Sequence, residues 1–387
     1  MRGLALEGGG ARGAFHVGVM KAMKEYGCYF DGVVGTSIGA YNAAMWVQGD
    51  FETLYGLWMT MQPADLFNVE NDYMSELTNR HLSKEAIRYF TEQMRAIIKN
   101  KGIDVSKIKS FIEETVDENK IRDSKIDFGL VTVIVPYFKP VKLYKDLIPE
   151  GQVTDYIMAS ANYPGFKSEP IESQHYIDGG LHENCPISLL IERNYDEIVT
   201  VRTSQRPIKY KGKDSHFKMI DILPSDDLGG TLIFDNELIR RNIKMGYYDA
   251  LRVIKGLEGR KYYIETTEES LFFDALCKVS KTEVNYLAKA YKLNGQDYKR
   301  VFFEGIIPRL AKQLKASKDA SYQEIILLLL EEAAKTYGLE RWRIYTLNQF
   351  IQAIEAKKEV HILFGDEVVR QFAAIMCQKL KGCFNQL

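Results

Sequence analysis

Charge imbalance is the first thing this 387-residue chain lacks: 51 Lys and Arg stand against 52 Asp and Glu, a net charge of −1. Such a balance provides no field to draw in nucleic acid or an anionic membrane. Nucleic acid is therefore not an expected partner, and any membrane contact needs a local patch. Long apolar runs are also missing. The richest, Ile325-Ile326-Leu327-Leu328-Leu329-Leu330, stops at Glu331-Glu332, far short of the ~20 residues of a membrane span, and reads as core packing. The five cysteines (Cys28, Cys185, Cys277, Cys377, Cys383) are scattered, odd in number and free of any C-x-x-C pair. That argues against a zinc site or a disulfide framework and for a reducing compartment. No apolar h-region follows Met1-Arg2, so no secretory signal is read. Position 2 is not Gly, and Cys383 is one place off the prenylation position. The expectation is a cytoplasmic protein, peripheral at membranes if it meets them at all.

What remains is ordinary globular material, 46% apolar and 27% charged, long enough for a large core and two regions. The first half alternates strand and helix signals. Strands are expected at 3–7, 30–34, 126–138, 141–144, 176–177 and 197–202, and helices at 12–26, 37–48 and 51–61. Residues 62–123 read as a polar, mostly helical insertion. Beyond about 265 the strand signals fade, and 282–291, 321–337 and 366–380 read as helices. The pattern predicts an α/β sheet with helices on both faces over 1–265 and a helical region over 266–387. Sites in such sheets form at the carboxyl ends of strands.

Three motifs follow strand signals. Gly35-Thr36-Ser37-Ile38-Gly39 comes after Val33-Val34. A serine between glycines at a strand-to-helix turn exposes a hydroxyl nucleophile, although chance supplies such a pattern in about one chain of this length in ten. Gly8-Gly9-Gly10-Ala11-Arg12-Gly13 ends the first strand and opens a helix. Its outward N–H groups are candidates for holding an oxyanion, with Arg12 either locking the loop or meeting a phosphate. Gly8-x-Gly10-x-x-Gly13 also fits a dinucleotide fingerprint with Asp31 as the ribose acid. However, Asp31 precedes its strand, and that strand runs into Ser37. The third motif, Asp178-Gly179-Gly180, offers a carboxylate in a tight loop. Asp178 within hydrogen-bond reach of Ser37 would take its proton and later return it. An acid-histidine pair would instead draw on His182, His216 or His361, but only two strands precede Ser37.

In this order the three elements resemble the patatin-like phospholipase family, whose pattern is G-G-G-x-[RK]-G, then G-x-S-x-G, then D-G-[GA]. Residues 8–13, 35–39 and 178–180 match it position by position, and Ala159-Ser160-Ala161-Asn162-Tyr163-Pro164-Gly165-Phe166 resembles the stretch before the family's aspartate. The resemblance is good over 1–205, loose over 206–265 and silent on 266–387. It implies a three-layer α/β/α fold and a Ser37–Asp178 dyad without histidine. The N–H groups around Gly9, Gly10 and Ala11 would hold the oxyanion, and lipid or phospholipid esters would be cleaved with no metal and no cofactor. Asn162-Tyr163 departs from the small or aliphatic residues common there and bears on substrate preference. Acyl transfer through the same acyl-enzyme and a non-catalytic lipid- or partner-binding protein are the alternatives. His16, His175 and His182 read as packing or surface residues, and the basic stretch Arg206–Lys218 (Arg206, Lys209, Lys211, Lys213, Lys218) as a solvated loop.

Overall fold

A computed structural model describes residues 1–62, 66, 103–135, 137–167, 169–208, 217–295, 297–357 and 367–384. His216, His361, Lys209, Lys211, Lys213 and much of the 62–123 insertion lie outside them. The chain divides into two compact units, Met1–Ala250 and Leu251–Leu387.

The first unit is built on a seven-stranded mixed sheet. Its elements in chain order are β1 (Arg2–Leu6), α1 (Ala14–Glu25), β2 (Gly32–Gly35), α2 (Ile38–Val47), α3 (Phe51–Thr60), α4 (Ser106–Thr115), α5 (Glu118–Asp123), β3 (Asp127–Val135), β4 (Lys139–Tyr144), α6 (Val153–Ser160), β5 (His175–Asp178), α7 (Ile187–Glu192), β6 (Glu197–Val201), β7 (Lys218–Ile222) and the greater part of α8 (Asn236–Lys255), whose last residues run past Ala250. The spatial order is β4-β3-β2-β1-β6-β7. The strands from β3 to β7 along this path are parallel, and β4 and β5 run antiparallel to β3. The parallel strands β1, β2, β3 and β6 are short and largely buried, as parallel strands between helical layers must be. Ala5, Val34 and Val131 pack with Ile187, Leu189 and Leu190 of α7 on one face. Side chains alternate along a strand, so buried Leu6, Val33 and Leu130 face the other way, the side on which α2 packs against β1, β2 and β3. The expected helices on both faces are therefore present. The basic stretch ends differently from expectation, because Lys218 begins β7 rather than closing a loop.

One irregularity in the sheet positions the site. β2 pairs with β3 only as far as Gly35–Leu130. β4 occupies the other edge of β3, so β5 takes up the edge that β2 vacates, with Asp178 opposite Thr132. The end of β2 and the end of β5 thus meet head on.

The second unit is helical, apart from the two-residue parallel pair β8 (Tyr263–Ile264) and β9 (Ile344–Tyr345), which the sequence pattern did not reveal. Ser280 and Glu283 form a reciprocal cap at the start of helix Lys281–Ala290. Ile325–Leu330 is buried in this unit's core, and Glu331 at its end is buried too. The Glu331 carboxylate accepts the N–H groups of Arg260, Lys261 and Tyr262 at 2.8, 2.9 and 2.8 Å. The charge that ends the apolar run is therefore a buried brace of the core.

Candidate active site

β2 delivers Ser37 into a turn at φ 56°, ψ −126°, a conformation that strains any non-glycine residue. Neighbouring backbone enforces the tight turn. A Cβ on Gly35 would lie 2.1 Å from the Gly39 carbonyl oxygen, and one on Gly39 would lie 2.3 Å from that of Leu6. Ser37 caps α2 with its backbone while its side chain makes no cap bond, so the hydroxyl is left for the cavity. Its N–H donates to Ser160 Oγ at 2.9 Å, and Ser160 donates to the Val131 carbonyl at 2.7 Å. Ser160, fully buried at the end of α6, thus ties the elbow to β3.

Asp178 ends β5, and Gly179–Leu181 continues as a single 3-10 turn. One carboxylate oxygen, Oδ1, accepts the Gly180 N–H at 2.7 Å. The Asp178 N–H donates to the Asn162 carbonyl at 2.8 Å, and Asn162 Nδ2 donates to the Tyr176 carbonyl at 2.7 Å. Burial pushes the Asp178 pKa up, while hydrogen bonding from the Ser37 hydroxyl and the Gly180 N–H pulls it back. The net effect is a carboxyl held above the usual aspartate range. Asn162 is therefore a clamp on the acid-bearing strand.

In the glycine loop, three N–H groups are already engaged. Gly8 donates to Asn184 O at 2.8 Å, Ala11 to Thr231 O at 2.8 Å and Arg12 to Gly9 O at 3.2 Å. The N–H groups of Gly9 and Gly10 have no partner among the described residues. This corrects the expectation for Ala11, because the 229–231 segment folds over the loop and takes its donor. Gly10 sits at φ +56°, and a Cβ there would come within 2.2 Å of Thr231 O. Gly13 closes the turn, its carbonyl accepting Asn42 Nδ2 at 3.1 Å. Arg12 Nε donates to Gly229 O at 2.8 Å, so Arg12 locks the loop. Its outer guanidinium nitrogens make no bond among the described residues, and the side chain lines the cavity.

Beneath the loop lies a buried ion pair. Arg202 donates to Glu7 Oε1 at 2.7 Å, and Glu7 Oε2 accepts the Thr203 N–H at 2.5 Å. Thr203 Oγ1 in turn lies 2.6 Å from the Gly8 carbonyl. The pair clamps the ends of β1 and β6, which hold the loop. Its cause is mutual: Arg202 and Thr203 hold Glu7 below the usual carboxylate range against burial.

Ser37, Asp178 and Gly8–Gly10 line one cavity of about 480 Å³. Its walls are apolar, from Ile38, Met61, Leu66, Ile108, Phe111, Ile112, Phe166, Leu232 and Phe234. Tyr41 also lines it, with its hydroxyl held 3.1 Å from Thr115 Oγ1. Among the described residues no histidine lines it. His16 is a core residue, pushed down to about 4 by burial and touching Asn42 at 3.3 Å. His175 and His182 are exposed. Asp31 accepts the Arg2 N–H at 2.6 Å at the start of β1, the opposite end of the strand from the glycine loop. That removes the ribose role.

Serine, acid and glycine loop at the carboxyl edge of a mixed sheet, with helices on both faces, define an α/β protein whose site is built at the strand ends. Residues 4–191 match the family model for the patatin-like phospholipase and form a patatin-like phospholipase domain. The neuropathy target esterase sws of Drosophila melanogaster is 57% identical over 209 residues, 51% of this chain and 12% of that protein. The lysophospholipase nte1 of Aspergillus terreus is 51% identical over 55 residues, 14% of this chain and 4% of that one. The chain thus spans a small fraction of the length of these relatives. Among solved structures, VipD from Legionella pneumophila aligns with a TM-score of 0.38 at 13% identity, covering 99% of this chain and 91% of that one. ExoU in complex with SpcU, from Pseudomonas aeruginosa, gives 0.36 at 13% identity, covering 87% and 76%.

Proposed function

We propose that this protein is a serine lipid acyl hydrolase of the phospholipase A or lysophospholipase type, with Ser37 as nucleophile and Asp178 as general base. One observation carries the reading. A strained serine with an uncapped hydroxyl, a buried carboxyl of raised pKa and two unpartnered N–H groups share the floor of an apolar cavity. The acyl chain lies along the apolar wall. Ser37 Oγ attacks the ester carbonyl carbon as its proton passes to Asp178, and the oxyanion is held by the Gly9 and Gly10 N–H groups. Collapse breaks the ester C–O bond, and Asp178 returns the proton to the departing alcohol. Water then attacks the acyl-Ser37, again giving its proton to Asp178. Collapse breaks the bond to Ser37 Oγ, which takes the proton back from Asp178, and the fatty acid is released. The division into a catalytic region of 1–265 and a helical region of 266–387 belongs to this proposal. So does a cytoplasmic location with peripheral contact at a lipid surface.

The test is turnover of lysophosphatidylcholine and of a dissolved short-chain ester, with and without an acceptor alcohol. Wild type should release free fatty acid in both cases. Ser37→Ala should lose turnover, and Asp178→Asn, which removes the general base, should lower kcat about 10²–10⁴-fold. Ester product formed only with the alcohol would make it a transferase. Unchanged turnover in Ser37→Ala would sink the reading.

A further inference from the structure

β3 and β4 are joined at a tip that presents Tyr137 and Phe138, 80% and 67% exposed. Phe138 also sits at φ 51°, a region bulky side chains rarely occupy. Two exposed aromatics, one in a strained backbone, are unfavourable for a soluble hairpin, where Gly or Asn would serve. β3 runs parallel to β1 and β2, so its tip projects from the carboxyl edge of the sheet, where the cavity lies. Val135, the last residue of β3, stands three residues beyond Thr132, the partner of Asp178, about 10 Å along the strand at ~3.3 Å per residue, and Tyr137 follows two positions later in the chain. At that same edge Leu181, Tyr163 and Leu232 line the cavity and are nonetheless 56%, 46% and 38% exposed. Exposed charges on the chain segments that carry Phe138 and Tyr163 and lead into β5 are of both signs: Lys139 and Lys167 against Glu169 and Glu172.

We propose that the Tyr137–Phe138 tip and the rim formed by Tyr163, Leu181 and Leu232 are one surface that rests on a lipid bilayer, the tip aromatics inserted at headgroup depth. The proposal rests on the lipid-hydrolase reading of the cavity. This rim borders the cavity that holds Ser37, so a substrate held in a bilayer has a route to Ser37 across it, and aromatic side chains suit the membrane–water interface. Mixed local charge makes apolar insertion, rather than attraction to anionic lipid, the binding force.

The experiment is co-sedimentation of the full chain with phosphatidylcholine vesicles, alongside turnover of a dissolved short-chain ester. Wild type and Ser37→Ala should bind equally, with little change between low and high salt. The double variant Tyr137→Ser, Phe138→Ser should bind about tenfold more weakly or worse and keep wild-type turnover of the dissolved ester. Phe138→Trp should retain binding, and its added fluorescence should be quenched by lipid brominated near the headgroup. Failure of wild type to bind vesicles, binding by the double variant equal to wild type, or no quenching of Phe138→Trp would each overturn the surface. Absence of ester turnover by wild type would instead count against the hydrolase reading. Tip-dependent vesicle binding would remain readable in that case.

Discussion

Ser160→Ala removes one oxygen that never touches the cavity, yet the elbow depends on it. Ser160 Oγ is the acceptor for the Ser37 N–H and the donor to the Val131 carbonyl. Alanine leaves both backbone groups without that partner, and an unmet buried hydrogen bond costs about 1–3 kcal/mol. Ser37 also holds a backbone conformation of φ 56°, ψ −126°, worth roughly 1–3 kcal/mol of strain. With its anchor gone, the turn is free to relax, and each 1.4 kcal/mol given up in the ground state lowers the rate about tenfold. The expected result is a fall in kcat of about 10–10²-fold with little change in KM, since the apolar walls are untouched. Urea unfolding should show stability lower by about 1–3 kcal/mol. Steady-state turnover of a dissolved ester and the unfolding midpoint together read both effects. Turnover within about twofold of wild type, with an unchanged midpoint, would show that Ser160 does not hold the elbow.

Three further expectations concern the loop, the acid and the clamp. In Gly9→Ala the new Cβ meets the Thr203 side chain at 2.9–3.0 Å, shifting a free donor. kcat should drop about 10²–10³-fold with KM nearly unchanged, and an unaffected kcat would remove Gly9 from the oxyanion site. Asp178 has a raised folded pKa, so its proton is held more tightly in the folded state and ionisation destabilises the fold as pH rises. Asp178→Asn should therefore melt higher than wild type at pH 8, with the gain vanishing below the pKa of a free aspartate. The wild-type acid limb of kcat/KM should lie above the ordinary aspartate range, and a melting gain independent of pH would contradict the assignment. Arg202→Met leaves Glu7 buried and unpaired, which should cost about 3–5 kcal/mol. Adding Glu7→Gln should recover part of the loss in thermal unfolding, and additive losses would show that the two do not act as a pair.

What the sequence discloses here is local chemistry. Gly35, Gly39 and Gly10 are legible because no other residue fits turns packed this closely against backbone. Ser37 and Asp178 are legible because each follows a strand signal and leads into such a turn. The supports are not legible, because they come from distant segments. Ser160 reaches Ser37 across 123 positions, and Arg202 reaches Glu7 across 195. Asn162 looked like a departure bearing on substrate, yet its backbone and amide hold the strand of Asp178. Ala11 looked like an oxyanion donor until the fold brought Thr231 over it. The strand expected over 126–138 stops at Val135, because Tyr137 and Phe138 form the exposed tip. The β8–β9 pair was hidden by its length.

The proposed reaction passes through a covalent acyl-enzyme on Ser37. Acid quench of the enzyme with a slowly hydrolysed activated ester, followed by peptide mass mapping, tests it most directly. The expected result is a mass gain of one acyl group on the peptide carrying Ser37, absent in Ser37→Ala and formed far more slowly in Asp178→Asn. An acyl group on another residue, or turnover with no adduct at any time, would contradict it.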